Sequence, residues 1–227
     1  MNSFKRRAMS FWDEDRGLTL LMVLLAVISF IAAPLAHAYP GGDTLLSALV
    51  SLLFVFGAFV VQEKRSVGLI VAALAIAPIV LEWAAHLHPT LSLKVAGVLA
   101  SLLFVSYITW HVIRRVLRQG TITVHRIIGA MAAYLLLGFA FAEAGRLLDL
   151  VVPGSYTAYS GGGDKRIDLY YFSFVTLTTV GYGDVLPIHP LARSLAVLEA
   201  LTGQLFPAIL IARLVAQELT EREAKRR

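Results

Sequence analysis

The chain contains no cysteine, which excludes a disulfide framework and any cysteine-ligated metal centre. Charge is scarce as well: Asp, Glu, Lys and Arg make up 15% of the 227 residues, against 58% hydrophobic. A soluble domain carries about 25% charged residues. With a mean hydropathy of +0.74, the chain belongs in a bilayer and has little length left for a soluble domain. It also lacks any long internal repeat, and its one low-complexity patch is GGGDKR, Gly161 to Arg166. That patch reads as an outer loop. A phosphate-cradling loop needs Ser or Thr after its lysine, at the mouth of a helix, and Lys165 is followed by Arg166.

Six apolar segments meet the roughly 20 residues that a spanning helix needs: about 17–36, 44–61, 66–85, 92–113, 127–148 and 191–216. The net charge of +5 points to nucleic acid only until its distribution is read. Lys5, Arg6, Arg7 and Arg16 precede the first segment, Lys64 and Arg65 follow the second, and Arg114, Arg115, Arg118 and Arg126 follow the fourth. Arg222, Lys225, Arg226 and Arg227 end the chain, whereas the connections His37 to Asp43 and His86 to Thr90 hold no Lys or Arg. Every second loop is basic, so the positive-inside rule puts both termini in the cytoplasm after six crossings. No nucleic-acid partner is implied. The basic start, the apolar run and AHA at Ala36 to Ala38 also fit a cleavable signal, but the run exceeds a signal core of about 7 to 15 residues. Cleavage would leave the orientation of the later segments unchanged.

The basic linker near Gly120 divides the chain into two expected modules: a four-helix transmembrane module over 1–120 and a second module from 121 to 217, with a short cytoplasmic tail at 218–227. About forty residues separate the last two segments, too many for a simple turn. Within them, RIDLYYFSFVTLTTV is apolar and aromatic but too short to cross. It reads as a re-entrant helix, with Asp168 at the positive end of its dipole and helical character lost at Gly181 and Gly183. Non-helical backbone at membrane depth is tolerated only where it is buried in protein or lines a water-filled path. TLTTVGYGD, Thr176 to Asp184, should therefore line something.

Residues 176–184 closely resemble the potassium-channel signature, and the core TVGYG, Thr179 to Gly183, matches that family at every position. The resemblance is specific over about 124–217; the first 120 residues share only architecture, like a small six-helix bacterial-type channel. It implies an all-α membrane protein with six transmembrane helices, a re-entrant pore helix and a selectivity-filter loop. Carbonyls of Thr179, Val180, Gly181 and Tyr182, with the Thr179 hydroxyl as a lower ring, would hold K+ in place of its water. Gly181 and Gly183 supply the dihedrals that other residues resist. Thr178, Asp184, Tyr171 and Phe172 are expected to support the filter, with the Tyr182 ring braced against Tyr171 and Phe172. One chain supplies one filter strand, so a homotetramer in membrane lipid is implied, with K+ as permeant ion, no cofactor, no catalytic residue and no identifiable regulatory ligand. The expected location is a bacterial inner membrane.

In the last segment, Gly203 falls where inner helices of this family commonly carry a hinge glycine. Pro207, four residues on, removes the hydrogen bond to the Gly203 carbonyl. In that register Gln204, Pro207, Ile211 and Val215 share a cavity-facing stripe, with Ile211 and Val215 as an apolar constriction. Glu199, one turn earlier, is expected either to bond behind the pore helix at Thr176 or Thr178 or to attract cations in the cavity. Glu143 and Arg146 are spaced to pair along the fifth segment, and Glu82 is expected to pair within the first module. The fourth segment has Lys94 at its outer end and no further basic residue before His111, unlike a voltage-sensing helix with arginine at every third position.

Three rival readings are weaker. A carrier should show paired broken helices, and only one re-entrant segment is present. An enzyme would need more than His86 and His88, which have no nucleophile and base at motif spacing. A non-selective cation channel of the same fold would more naturally alter Tyr182.

Overall fold

The computed structural model describes residues 17–32, 42–61, 65–117, 124–157 and 165–226. The N-terminal basic cluster, the AHA stretch, Lys64, Gly120 and Gly161 to Asp164 lie outside them. The described elements are helices, with a single isolated bridge between Tyr156 and Pro187. Residues 17–27 form α1, which continues into a π-helical turn at Ile28–Ala32. Then follow α2 (Gly42–Val61), α3 (Arg65–Leu87), α4 (Leu91–Val116), α5 (Val124–Val151), the short α6 (Lys165–Leu177) and α7 (Pro190–Arg226). Helices occupy all six apolar segments and the re-entrant stretch. Three of them, Leu91–Val116, Arg126–Val151 and Pro190–Arg213, are long and apolar enough to cross a membrane, whereas the apolar runs Gly17–Ile31, Thr44–Val60 and Val71–Leu87 are shorter. The protein is thus a helical membrane protein.

Local chemistry explains the helix ends. Thr90 has extended backbone and accepts the Leu93 N–H on its hydroxyl at 3.4 Å, closing the start of α4 in the usual N-cap manner. At the other end Arg114 and Arg115 lie against the negative end of the helix dipole, and the Arg114 guanidinium sits 4.4 Å above the Trp110 ring. The Val116 carbonyl accepts from Arg126 at 2.8 and 3.2 Å. Arg126 therefore also caps backbone that α4 leaves unpaired.

Among the described residues most of the core is one continuous cluster, with a smaller one of Tyr156, Leu169 and Ala192 beside it. On α4, Phe104, Val105, Ile108, Val112 and Val116 recur at helical spacing and are buried. Facing them, Ala130, Ala132 and Ala133 of α5 are buried too; their small side chains let two membrane helices approach closely. Leu21 and Leu25 of α1, and Leu53 and Phe54 of α2, join the cluster, which extends to Ile167 and Tyr170 of α6. Hence α6 is anchored on apolar residues from both halves of the chain. By contrast α7 meets α5 and α6 but leaves Leu198, Leu201, Leu205 and Ile209 exposed.

Phe104 is fully buried, edge-on to Phe54 with ring centroids 5.4 Å apart. Phe104→Ala should cost about 3–5 kcal/mol and lower the unfolding midpoint in detergent, whereas truncating the exposed Leu103 should change it little.

Candidate functional site

The site grows from the C-terminal end of α6. Helical bonding continues to the Thr178 N–H, which donates to the Phe174 carbonyl at 3.0 Å. Beyond it the Thr179 N–H donates to Thr176 O at 2.9 Å, and the Val180 and Gly181 N–H groups both donate to Val175 O, at 2.9 and 3.3 Å. Among the described residues no peptide bond is cis. In a trans unit the carbonyl points opposite to the N–H of the next residue, so the carbonyls of Thr178, Thr179 and Val180 face away from α6. Thr179, Gly181 and Gly183 have φ of +60°, +59° and +80°, and no other non-glycine residue has positive φ among the described residues. An alternation of left- and right-handed residues aligns N–H groups on one side of the chain. The loop leaves the helix at Thr178, three residues before the glycine where the sequence suggested, because the alternation already begins at Thr179. A β-branched residue at positive φ is strained, and that strain is held by the hydrogen bonds around it.

Carbonyls at this end of α6 are occupied. Phe174 O also accepts the Thr178 hydroxyl at 2.7 Å, and Leu177 O accepts the Tyr134 hydroxyl at 3.0 Å. A cation near this end meets the helix dipole rather than a bare carbonyl.

Beyond the loop, the Tyr171 hydroxyl donates to Asp184 Oδ2 at 2.7 Å, while the Val185 N–H donates to Oδ1 at 3.1 Å. The Tyr171 bond holds the Asp184 carboxyl below its ordinary range against the opposing effect of desolvation, with further help from backbone N–H groups. The segment that follows is clamped to the chain after α5: Leu186 N–H donates to the Thr157 hydroxyl at 2.7 Å, Thr157 N–H to Leu186 O at 2.9 Å, and Ile188 N–H to Ser155 O at 2.8 Å. Tyr156 is buried beneath this clamp with its ring 5.3 Å from that of Phe172. Burial, then the negative Glu199 and Asp149, push its phenol up to about 12.

Several expected partners differ. Tyr182 is 73% exposed, so within one chain its ring is not braced against Tyr171 and Phe172. Those two serve Asp184 and Tyr156 instead, because the outer side of α6 is turned toward the loop after α5. Glu199 is buried behind α6, where its carboxyl meets the Ser173 hydroxyl. The partner is Ser173 rather than Thr176 or Thr178, since Thr178 bonds back to its own helix. Ser173 Oγ also donates to Gly138 O of α5 at 2.7 Å. Glu82 pairs outside the first module, with Arg146 of α5 at 4.0 Å.

On α7, a Cβ at Gly203 would lie 1.9 Å from Leu177 O. Close approach of α7 to the end of α6 is thus a sufficient reason for glycine there, and the helix runs unbroken through Pro207. Gln204 Nε2 donates to the Thr179 hydroxyl at 3.2 Å. Ile211 and Val215 are exposed, while Phe206 stacks on Tyr134 at 6.2 Å. Arg213 donates to the Leu117 carbonyl at the end of α4. Residues 178–184 are exposed throughout. The sequence reading missed Tyr134, Ser173 and Tyr156 as members of the site; their hydroxyls, in or beside apolar segments, were its only sign of them.

Parts of this chain are similar to known proteins. Residues 129–218 match the family model described as "Ion channel". An inward rectifier potassium channel, Kirbac3.1, of Paramagnetospirillum magnetotacticum is 38% identical over 74 residues, 33% of this chain and 22% of that protein. The two pore potassium channel c of Oryza sativa subsp. japonica is 34% identical over 93 residues, 41% of this chain and 19% of its own. Protein LctB of Bacillus caldotenax is 48% identical over 48 residues, 21% of this chain and 35% of its own. The chain thus spans about a fifth to a third of the length of these curated relatives. No solved structure matches. The C-terminal half of this membrane protein is similar to ion channels, potassium channels among them.

Two outcomes follow from the geometry. Gly203→Ala should force α7 off α6 and cost about 1–3 kcal/mol or more, read as a lower unfolding midpoint, whereas Ala208→Gly on an exposed face should cost about 1 kcal/mol at most. The depressed Asp184 carboxyl favours folding above its unfolded value of about 3.9; that contribution disappears as pH falls through the lower folded value. Tyr171→Phe should therefore raise the Asp184 titration midpoint in carboxyl 13C NMR, and Asp184→Asn should remove this part of the acid sensitivity.

Proposed function

We propose that the protein is a potassium-selective channel that conducts K+ passively as a homotetramer, with six membrane crossings and both termini in the cytoplasm. The observation that carries this reading is the turn of the Thr178, Thr179 and Val180 carbonyls away from α6, on a TVGYG core with positive φ at every second residue. A strand built in this way presents oxygens along one side. Four copies about an axis would stack those oxygens, with those of Gly181 and Tyr182, into rings that replace the water of a dehydrated K+. The similarity of residues 129–218 to ion channels, and of stretches of 74 and 93 residues to potassium channels, supports the reading.

The residues divide the work. Glycine at 181 and 183 meets the positive φ at no steric cost. The Gln204 amide holds the Thr179 hydroxyl from the cavity side, so the lowest ring is positioned by the inner helix. Asp184, through Tyr171, fastens the outer end of the strand to the same helix that fastens its inner end. Selectivity then comes from oxygen rings whose spacing the pore helix maintains. The exposed Ile211 and Val215 would face the inner pathway as an apolar constriction. The exposed faces of α7 and of residues 178–184 are the surfaces that assembly and lipid would cover. No covalent chemistry and no cofactor are needed.

In a planar bilayer with K+ on one side and Na+ on the other, the reconstituted protein should reverse near the potassium equilibrium potential. Gly181→Ala should abolish that preference or the current. Robust current reversing near zero would overturn selectivity in favour of a non-selective cation pathway.

A further inference from the structure

A second set of polar groups lies away from the filter, where three helices meet. Glu143 of α5 is 2% exposed. Its carboxylate accepts Arg146 Nη1 on both oxygens, at 2.9 and 3.0 Å, and it also accepts the Tyr170 hydroxyl of α6. On the other side of the guanidinium, Nη2 faces Glu82 Oε2 of α3 at 4.0 Å. Two carboxylates and one guanidinium thus occupy the interior of an apolar protein. Such groups are costly in a membrane and are kept where they pair. Replacing them by well-packed apolar side chains is often neutral or stabilising, so stability alone is a poor reason for the cluster.

Its placement offers a better one. The α6 helix is held from behind at two points on one face: Tyr170 on Glu143, and Ser173, three residues on, on Gly138 O and Glu199. Tyr171, next to Tyr170, holds Asp184 at the outer end of the filter strand. A small roll of α6 about its axis would therefore move Tyr171, and with it Asp184. The Tyr170 ring packs edge-on against Phe139 at 5.2 Å, which fixes its place, while its hydroxyl supplies the direction. Glu82 belongs to the N-terminal helices, and α3 otherwise packs on α2 and α4. Through Arg146 it gives those helices a direct polar contact with the group that orients α6.

We propose that Glu143 is a positioning residue for the filter, acting through Tyr170 on the roll of the pore helix, and that Glu82 of the N-terminal helices sets its orientation through Arg146. This inference rests on the potassium-channel reading. It makes ion selectivity, rather than stability alone, depend on a carboxylate outside the ion-channel segment.

The test is the permeability ratio of K+ to Na+, taken from reversal potentials of the reconstituted full chain, for wild type, Tyr170→Phe, Glu82→Gln and the double variant. Tyr170→Phe keeps the ring on Phe139 and removes only the hydroxyl. Each single variant should lower the ratio by about threefold or more. The double variant should lower it by less than the product of the two, as for groups acting in series. Stabilisation of the purified protein by K+ over Na+, read as the shift in unfolding midpoint, should shrink in parallel and serves for any variant that passes no current. A ratio and a K+-specific shift unchanged in both single variants would overturn the proposal. So would independent, multiplicative effects. A wild type that prefers neither ion would instead overturn the channel reading itself, and this inference with it.

Discussion

A peptide group in an apolar environment needs a hydrogen-bond partner, and leaving one unpaired costs several kcal/mol. The helices meet that requirement internally. The stretch after Leu177 cannot, and the structure answers by turning its N–H groups into the end of α6 and leaving its carbonyls free on the other side. What makes the loop tolerable for the protein is also what gives it an oxygen-lined face. The surrounding contacts, Tyr134 on Leu177 O, Gln204 on Thr179 and Tyr171 on Asp184, hold that one arrangement in place.

The short helix is consequently supported from several sides. Its N-terminal half is bonded to α5 through Tyr170, its middle to α5 and α7 through Ser173, and its end to α5 through Tyr134. Gly203 lets α7 press directly on its last carbonyl. The clamp between residues 155–157 and 186–188 closes the outer side. With partners on several sides, little freedom is left for the strand that follows.

The N-terminal helices are joined to this assembly by more than a linker. They share one apolar core with α5 and α6. Polar contacts then connect the two halves at both ends: Glu82 with Arg146, and Arg126 and Arg213 with carbonyls at the end of α4. Because α4 has no basic residue between Lys94 and His111, displacement of this helix by the membrane field would move little charge. These contacts tie the N-terminal helices mechanically to α5 and α7, and through α5 to α6.

Much of this was legible from residue types alone. Apolar runs of helical length foretold the helices, and the short run before TVGYG foretold α6, because backbone pairing in lipid leaves few alternatives. Glycine at 181 and 183 announced positive φ, since only glycine adopts it without strain. The strained Thr179 could not be read in this way: its dihedral is imposed by the hydrogen bonds that its neighbours make to Val175 and Thr176. The pairing of Glu143 with Arg146 followed from spacing on one helix. The partners of Glu82, Glu199 and Tyr171, and the contact that explains Gly203, did not. They depend on how far each helix is rotated about its axis and where it crosses the next, which is decided by the packing of the whole core. The chain itself determined which segments are helical and where the backbone must open; only the tertiary structure decided which distant side chains meet, because that choice belongs to helix faces and not to their order in sequence.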